Sequence, residues 1–250
     1  MANTIVDGKP DLKLFDKGVE ATAEIPLAPV PEPKTVVFCL PGSNFSGRFL
    51  ECWTNLSMWC VLNGIRPILS RRESCNIYYV RNMCLGGNVL AGAGQLPFGG
   101  QLPYDYIMWI DSDCLFNPSQ FERLLSHDVP IVAAPYRMTN GDYAVVEEWD
   151  ERYFAKHGNF KFMTDQDLKT NPKNKALWKV SYAGMGFMLV KRGVLEAIGY
   201  PWFNQLEKTI GGLRDFTMED VAFCLRAAEK GYDTLIDPQV VVGHEKRVVL

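Results

Sequence analysis

The stretch Tyr104–Phe116, YDYIMWIDSDCLF, constrains this chain more than any other. Tyr106 to Ile110 is an apolar run with the length and the aromatic, β-branched character of a buried strand. It ends abruptly in Asp111, Ser112 and Asp113. Residues i and i+2 of an extended chain point to one side, so Asp111 and Asp113 are expected to project together and Ser112 oppositely. In an open α/β sheet, ligands bind just outside the carboxyl ends of the strands. Two carboxylates held there repel unless a cation lies between them, and hard oxygen ligands suit Mg²⁺ or Mn²⁺. The competing reading is a polar turn that closes a strand, since Asp and Ser are common turn formers.

A length of 250 residues predicts one α/β domain with an appended tail. The net charge of −3 argues against nonspecific nucleic-acid binding, yet leaves room for a phosphate-bearing ligand held through a metal. Seven cysteines, odd in number and without a CxxC pair, fit a reducing compartment; three histidines are too few for a His-rich zinc site. The first twenty residues carry charges throughout and no apolar core, unlike a secretory signal. Residues 82–104 are uncharged, but their six glycines and two prolines oppose a membrane-spanning helix. A soluble, cytoplasmic protein without a transmembrane segment is expected.

Residues 1–34 end in EIPLAPVPEPK, an extended Pro-rich arm. Thr35–Leu40 reads as a strand closed by Pro41 and Gly42, after which Asn44 or Ser46 caps a helix running to about Asn63. Phe49, Cys52, Trp53, Leu56, Met58, Trp59 and Leu62 give that helix a broad apolar face. The loop between strand and helix lacks both GxGxxG and the Walker pattern. A second strand, Arg66–Leu69, leads into the basic loop Ser70–Ser74, which a right-handed crossover places beside the first loop. Its arginines suit a diphosphate, or simply face water. Ile77–Leu90 reads as a helix holding Arg81 and Asn82, followed by a Gly-rich connector.

Asn117 and Pro118 open a further helix, and Ile131–Ala134 is a short strand. Residues 136–178 are irregular and rich in aromatics, which suit either stacking on a sugar or covering a small core. Val180–Val190 is a strand interrupted by Gly184 and Gly186, marking a close approach by a ligand or another part of the chain. Thr217 is the expected N-cap of a helix carrying Val221, Cys224, Leu225 and Ala228 on one face. Glu219 and Asp220 then fall in its first turn, where Asp220 could serve only to complete a capping box. Thr234–Ile236 and Val240–Val242 read as late strands, with His244 just beyond; a neutral imidazole there could hold a divalent cation.

The order of DSD, the distant MEDVAFCLRAAEKGY and VVVGH resembles the GT-A class of nucleotide-sugar glycosyltransferases, in particular family 2-like bacterial and viral members, over about residues 35–246. The resemblance implies a GT-A fold, a mixed, mostly parallel sheet flanked by helices. Residues 35–135 would be a Rossmann-like, nucleotide-sugar-binding half and residues 136–250 the acceptor and catalytic half. It implies transfer of a sugar from a UDP- or GDP-type donor to a glycan or other hydroxyl acceptor with Mn²⁺ or Mg²⁺; the cytoplasmic setting expected above would be the host's for a viral chain and is compatible with work at a membrane surface. Carried over by position, Asp111, Asp113 and His244 are the metal set and Asp220 is the general base of an inverting displacement, with Glu219 as fallback. Pro41, Arg72, Arg81, Ser112 and Gly184 join Asp111 and Asp113 on the nucleotide-sugar side. RRES stands where the family often has an Asp contacting the base, so the base stays open. Two alternatives compete. A sugar nucleotidyltransferase calls for a Gly-rich, Lys-containing signature near the N-terminus, which PGSNFSGRF does not supply; a non-catalytic glycan- or nucleotide-binding module needs no base.

Overall fold

The computed structural model describes residues 32–170 and 176–246, so the expected N-terminal arm lies almost wholly outside the described residues. Strand β1 (Lys34–Pro41) is buried from Thr35 onward. Helix α1 (Gly47–Leu62) starts at Ser46, whose hydroxyl accepts a hydrogen bond from the Phe49 N–H at 3.1 Å; Asn44 is not the cap. Strand β2 (Ile65–Arg72) outruns the expected Arg66–Leu69, because its backbone stays in parallel register with β1 as far as the pair Pro41 and Arg72. Arg71 and Arg72 therefore stand on a strand rather than in a loop. Helix α2 (Ile77–Cys84) is capped by Asn76 and stops well short of Leu90, where Gly86 at φ +77° turns the chain away.

Strand β3 (Tyr106–Ile110) is buried throughout, as its composition demands. The short β4 (Cys114–Leu115) follows, then α3 (Pro118–Ser126), whose cap Asn117 forms a reciprocal box with Gln120, and β5 (Ile131–Ala133). The stretch expected to be irregular holds β6 (Val145–Val146), α4 (Glu151–His157) and α5 (Asp165–Lys169). What reads as one strand over Val180–Val190 is three: β7 (Trp178–Val180), β8 (Tyr182–Ala183) and, past the glycines, β9 (Phe187–Lys191). Then come α6 (Val194–Ile198), the exposed hairpin β10 (Glu207–Ile210) and β11 (Leu213–Phe216), α7 (Glu219–Glu229), β12 (Thr234–Ile236) and β13 (Gly243–His244). The expected strand Val240–Val242 does not form. Only Val242 makes a bridge, to Tyr136, and the chain pairs one residue later, β13 running antiparallel to β4.

Seven strands make the central sheet in the order β2-β1-β3-β9-β5-β12-β7. Strands β2, β1, β3, β5 and β12 share one direction while β9 and β7 oppose them, so the sheet is mixed and mostly parallel. Alternation along each strand divides the core into two layers. Val37, Cys39, Ile107 and Trp109 face α2, α6 and α7, whereas Val36, Phe38, Tyr106, Met108 and Ile110 face α1 and α3. This is a three-layer α/β architecture, with the carboxyl ends of β1 and β3 side by side at one rim. Among the described residues, no helix is long and apolar enough to cross a membrane.

Candidate active site

Asp111 leaves the end of β3, but Asp111–Asp113 is not extended. The Cys114 N–H donates to the Asp111 carbonyl at 3.0 Å, closing a turn that sends the two carboxylates to different partners. The expectation that they project together is thus corrected, and each acid acquires its own surroundings.

On one side stands Arg81, carried by α2 and only 2% exposed. Its Nε donates to Glu219 Oε1 at 3.1 Å, and its Nη2 to both oxygens of Asp111 at 3.0 and 3.2 Å. The guanidinium lies 5.4 Å over the Trp109 ring. Its Nη1 has no hydrogen-bond partner among the described residues. Burial alone would lower the guanidinium's pKa, but Asp111 and then Glu219 outweigh it and raise the pKa. A charge this deep is tolerated only with such partners. Arg81 therefore holds two site carboxylates in place rather than reaching out toward a nucleotide. Helix α2 also fixes the approach of α7. The Tyr78 hydroxyl donates to the Thr217 carbonyl at 2.7 Å, and Asn82 binds the 202–203 backbone through both its oxygen and its amide.

The capping box that competed with a catalytic role for Asp220 is not seen, and Thr217 is not the N-cap expected of it. The N-cap of α7 is Met218, with no side-chain cap, and the Thr217 hydroxyl instead accepts from the Leu206 N–H at 3.1 Å. Asp220 accepts one bond, from the Val221 N–H at 2.7 Å. Burial first, and the Glu219 charge second, push its pKa up to about 7. Around it stand Glu219, Arg81, Asp111, Tyr78, Tyr136 and Tyr182. Glu219, tied to Arg81 and 6% exposed, is the worse placed of the two to accept a proton.

Tyr136 is the main residue that the sequence does not single out for this site. Its ring covers Gly184 and Gly186: a Cβ on Gly184 would sit 2.1 Å from the Tyr136 hydroxyl, and one on Gly186 2.8 Å from its ring. The close approach marked by these glycines is therefore a side chain of the same chain, which occupies the space next to Gly184. Burial, then Asp111 and Asp220, raise the Tyr136 pKa well above its ordinary value, so the phenol stays protonated.

Asp113 faces the other way. His244, brought alongside by the pairing of β13 with β4, has Nε2 3.1 Å from Asp113 Oδ2, and Lys246 Nζ reaches the same oxygen at 2.6 Å. Burial would raise the Asp113 pKa, yet hydrogen bonds from His244 and Lys246 prevail and bring it down to about 2. The same bond raises the pKa of His244. His244 Nδ1 lies 2.6 Å from the Arg137 carbonyl, which can only accept, so that nitrogen carries a proton; Nε2 faces Asp113 and becomes a cation ligand once it gives up the proton it donates there. Beside this pair opens a cleft of about 230 Å³ lined by Asn44, Ser46, Ser112, Asp113, Glu245 and Lys246. Gly42, at φ +135°, lets Ser112 pack tightly against the turn after β1. Pro41 ends β1 close by, while Arg72 is exposed on the sheet edge with Nη1 on the Arg71 carbonyl at 2.8 Å; neither lines the cleft.

The three-residue metal set expected from Asp111, Asp113 and His244 does not assemble. Among the described residues no three His, Cys, Asp or Glu side chains come together as a metal-binding group, because Arg81 takes Asp111. Asp113 and His244 remain as two adjacent donors, a hard carboxylate oxygen and a borderline imidazole nitrogen. A divalent cation such as Mg²⁺ is commonly bound by one or two carboxylates with substrate phosphates completing its shell, so a pair fits if Lys246 yields its place.

No protein-family model matches the chain, and no curated protein matches it in sequence. Among solved structures it is similar to GalNAc-T7 with UDP, GalNAc and Mn²⁺, at 13% identity and TM-score 0.48, covering 87% of this chain and 45% of that one. A mutant Drosophila β1,4-galactosyltransferase 7 with manganese, UDP-Gal and xylobiose matches at 13% identity and TM-score 0.43, covering 86% and 71%. The inositol-1-phosphate CTP transferase from T. maritima matches at 9% identity and TM-score 0.42, covering 86% and 89%. The chain thus spans less than half the length of GalNAc-T7.

Proposed function

We propose that this chain is a GT-A-type glycosyltransferase that moves a sugar from a nucleoside-diphosphate donor to an acceptor hydroxyl, inverting the anomeric centre in a single displacement. The observation that carries this reading is Asp220: an unclamped, half-buried carboxylate at the rim of the sheet, poised near neutrality and flanked by the immobilised Asp111–Arg81–Glu219 set. An attacking hydroxyl is a poor nucleophile at neutral pH. A carboxylate whose pKa lies near the working pH is suited to take its proton in the transition state. Arg81 holds Asp111 and Glu219 rigidly, so neither competes with Asp220 for that proton.

The donor's diphosphate is assigned to the cleft beside Asp113, where Ser46 and Ser112 offer hydroxyl groups and Lys246 a positive charge. Asp113 and His244 would hold Mn²⁺ or Mg²⁺ there. When bound, that cation supplies Lewis-acid stabilisation of the charge that develops on the leaving diphosphate. Tyr136 closes the floor between the two carboxylate environments and stays a neutral donor.

The test is incubation of the full chain with UDP- and GDP-sugars, with and without Mn²⁺, while following nucleoside-diphosphate release. Slow cation-dependent release that falls about 10²- to 10⁴-fold in Asp220→Asn, with donor binding kept, is the expected result. Pyrophosphate formation from a nucleoside triphosphate and a sugar phosphate would overturn it in favour of a nucleotidyltransferase. Cation-insensitive binding without turnover would make the chain a binding module.

A further inference from the structure

At the edge of the central sheet β7 pairs with β12, and the register pair Val180 and Thr234 lines a cavity together with Cys224, Leu225 and Ala228 of α7. Its volume is about 260 Å³. It lies one to two helical turns beyond Asp220, and none of the residues assigned to the transfer site lines it. Its wall holds one polar atom whose bonding the fold leaves unfinished. Thr234 is 3% exposed, and its hydroxyl has no hydrogen-bond partner among the described residues. The neighbouring Cys224 thiol, whose pKa burial pushes up to about 12, stays neutral and is a weak acceptor. A buried hydroxyl is ordinarily satisfied, so this one points to a guest in the cavity.

The lining describes the guest. Part of it is apolar, the α7 side chains with Val180 and the half-buried Trp149 ring, which packs on Phe160 at 4.2 Å between centroids. The aromatics of 136–178 thus divide, since Phe154 and Phe160 belong to the core while Trp149 also meets the cavity. The rest is polar and already engaged: Lys179 pairs with Asp233 at 2.7 Å, Glu147 Oε1 accepts from Trp178 Nε1 at 2.9 Å, and the Ser181 hydroxyl donates to the Glu147 carbonyl at 2.9 Å. Two carboxylates against one ammonium repel an anion, which excludes phosphate-bearing ligands. A wholly apolar guest would leave Thr234 unsatisfied. The volume falls just below the roughly 300–1,000 Å³ of pockets for drug-sized ligands, so a single ring fits and a nucleotide does not. An uncharged ring with an apolar face for Trp149 and hydroxyl groups around its edge meets every condition, and that is a pyranose.

We propose that this cavity binds one sugar unit of a neutral glycan, with the ring against Trp149 and one of its hydroxyl oxygens accepting from Thr234. It is a second carbohydrate site, apart from the cleft beside Asp113 and from Asp220. The inference does not rest on the transferase reading, because binding here needs neither a base nor a cation.

Saturation-transfer NMR titrations of the full chain with the methyl glycosides of glucose, galactose, mannose and N-acetylglucosamine test it. At least one is expected to bind, equally well in the wild type and in Asp220→Asn. Thr234→Val removes an unpaired hydroxyl, so it should keep or raise the melting temperature while weakening that sugar about 2- to 10-fold, the worth of one neutral hydrogen bond. Ala228→Trp, at an exposed position of α7, should keep the melting temperature and abolish binding by filling the cavity. Binding that survives Ala228→Trp would place the sugar elsewhere and overturn the proposal. A lower melting temperature or unchanged affinity in Thr234→Val would overturn it too, since the hydroxyl would then serve the fold alone. So would the absence of binding by all four glycosides, equal binding of cyclohexanol, or tighter binding of glucose 6-phosphate.

Discussion

Two acids one residue apart live in opposite circumstances. Asp111 is gripped by a guanidinium that is itself 2% exposed and shared with Glu219, whereas Asp113 sits at the edge of an open cleft, bonded to the held His244 and to the exposed Lys246. An ion pair on a buried guanidinium resists rearrangement, because separating it strands a charge in low dielectric. Exposed contacts exchange easily, because each is worth little. One arm is thus tightly held, while at the other the Lys246 contact is weak enough to exchange.

The largest effect is expected from breaking the fixed arm. Arg81→Met leaves Asp111 and Glu219 unpaired, and chemical denaturation should show a loss of about 3–5 kcal/mol. Arg81→Lys should recover little of it, since an ammonium cannot serve Glu219 and both oxygens of Asp111 from one planar fork. A loss below about 1 kcal/mol would place Arg81 among ordinary surface pairs.

Asp220 sharpens the contrast through pH. Its folded pKa, near 7, lies above the ordinary carboxylate value, so the native state holds the extra proton between those limits. Native stability therefore falls as pH rises from about 4 to about 7, and Asp220→Asn should flatten that slope while lowering turnover about 10²- to 10⁴-fold. Turnover of the wild type should rise through pH 7 as the base ionises. A slope unchanged in the Asn variant would assign it to another group.

Gly184→Ala probes the floor shared by both arms. The new methyl would overlap the Tyr136 hydroxyl, so the ring must move, at a cost of about 1–3 kcal/mol in thermal or denaturant unfolding. Restoration by a second change, Tyr136→Phe, should be partial, because the ring carbons also lie within 3.0 Å.

The smallest change belongs to the exchangeable arm. Lys246→Ala should alter stability by no more than about 1 kcal/mol, since both partners are more than a third exposed. Calorimetric titration should nevertheless show Mn²⁺ binding, in the presence of UDP, that is equal or tighter than in the wild type. His244→Ala should weaken it, and acid should weaken the wild type as His244 takes up its second proton.

This contrast was only partly legible in the sequence. The buried strand Tyr106–Ile110 is unambiguous because an uninterrupted aromatic and β-branched run has few other fates, and the Asn117 cap with Pro118 and Gln120 is equally local information. For Asp-Ser-Asp the sequence offers both extended chain and a polar turn, and the structure has the turn. Strand periodicity does not show where a strand stops, and Asp and Ser favour the turn that separates the two acids. Arg81 is visible as a residue, but its role depends on α7 meeting α2, a contact across 138 positions that no local pattern encodes. Gly184 and Gly186 announced a close approach without naming Tyr136. The hairpin of β10 and β11 is marked in the sequence only by Gly211–Gly212, both with positive φ, because its flanking residues alternate little in polarity.

The most direct test is an anomalous-difference map from crystals soaked in MnCl₂ and UDP. One strong peak is expected between Asp113 Oδ2 and His244 Nε2, with Lys246 displaced and the Arg81–Asp111 pair unchanged. A peak bridging Asp111 and Asp113 with Arg81 driven off, or manganese bound away from His244, would contradict it.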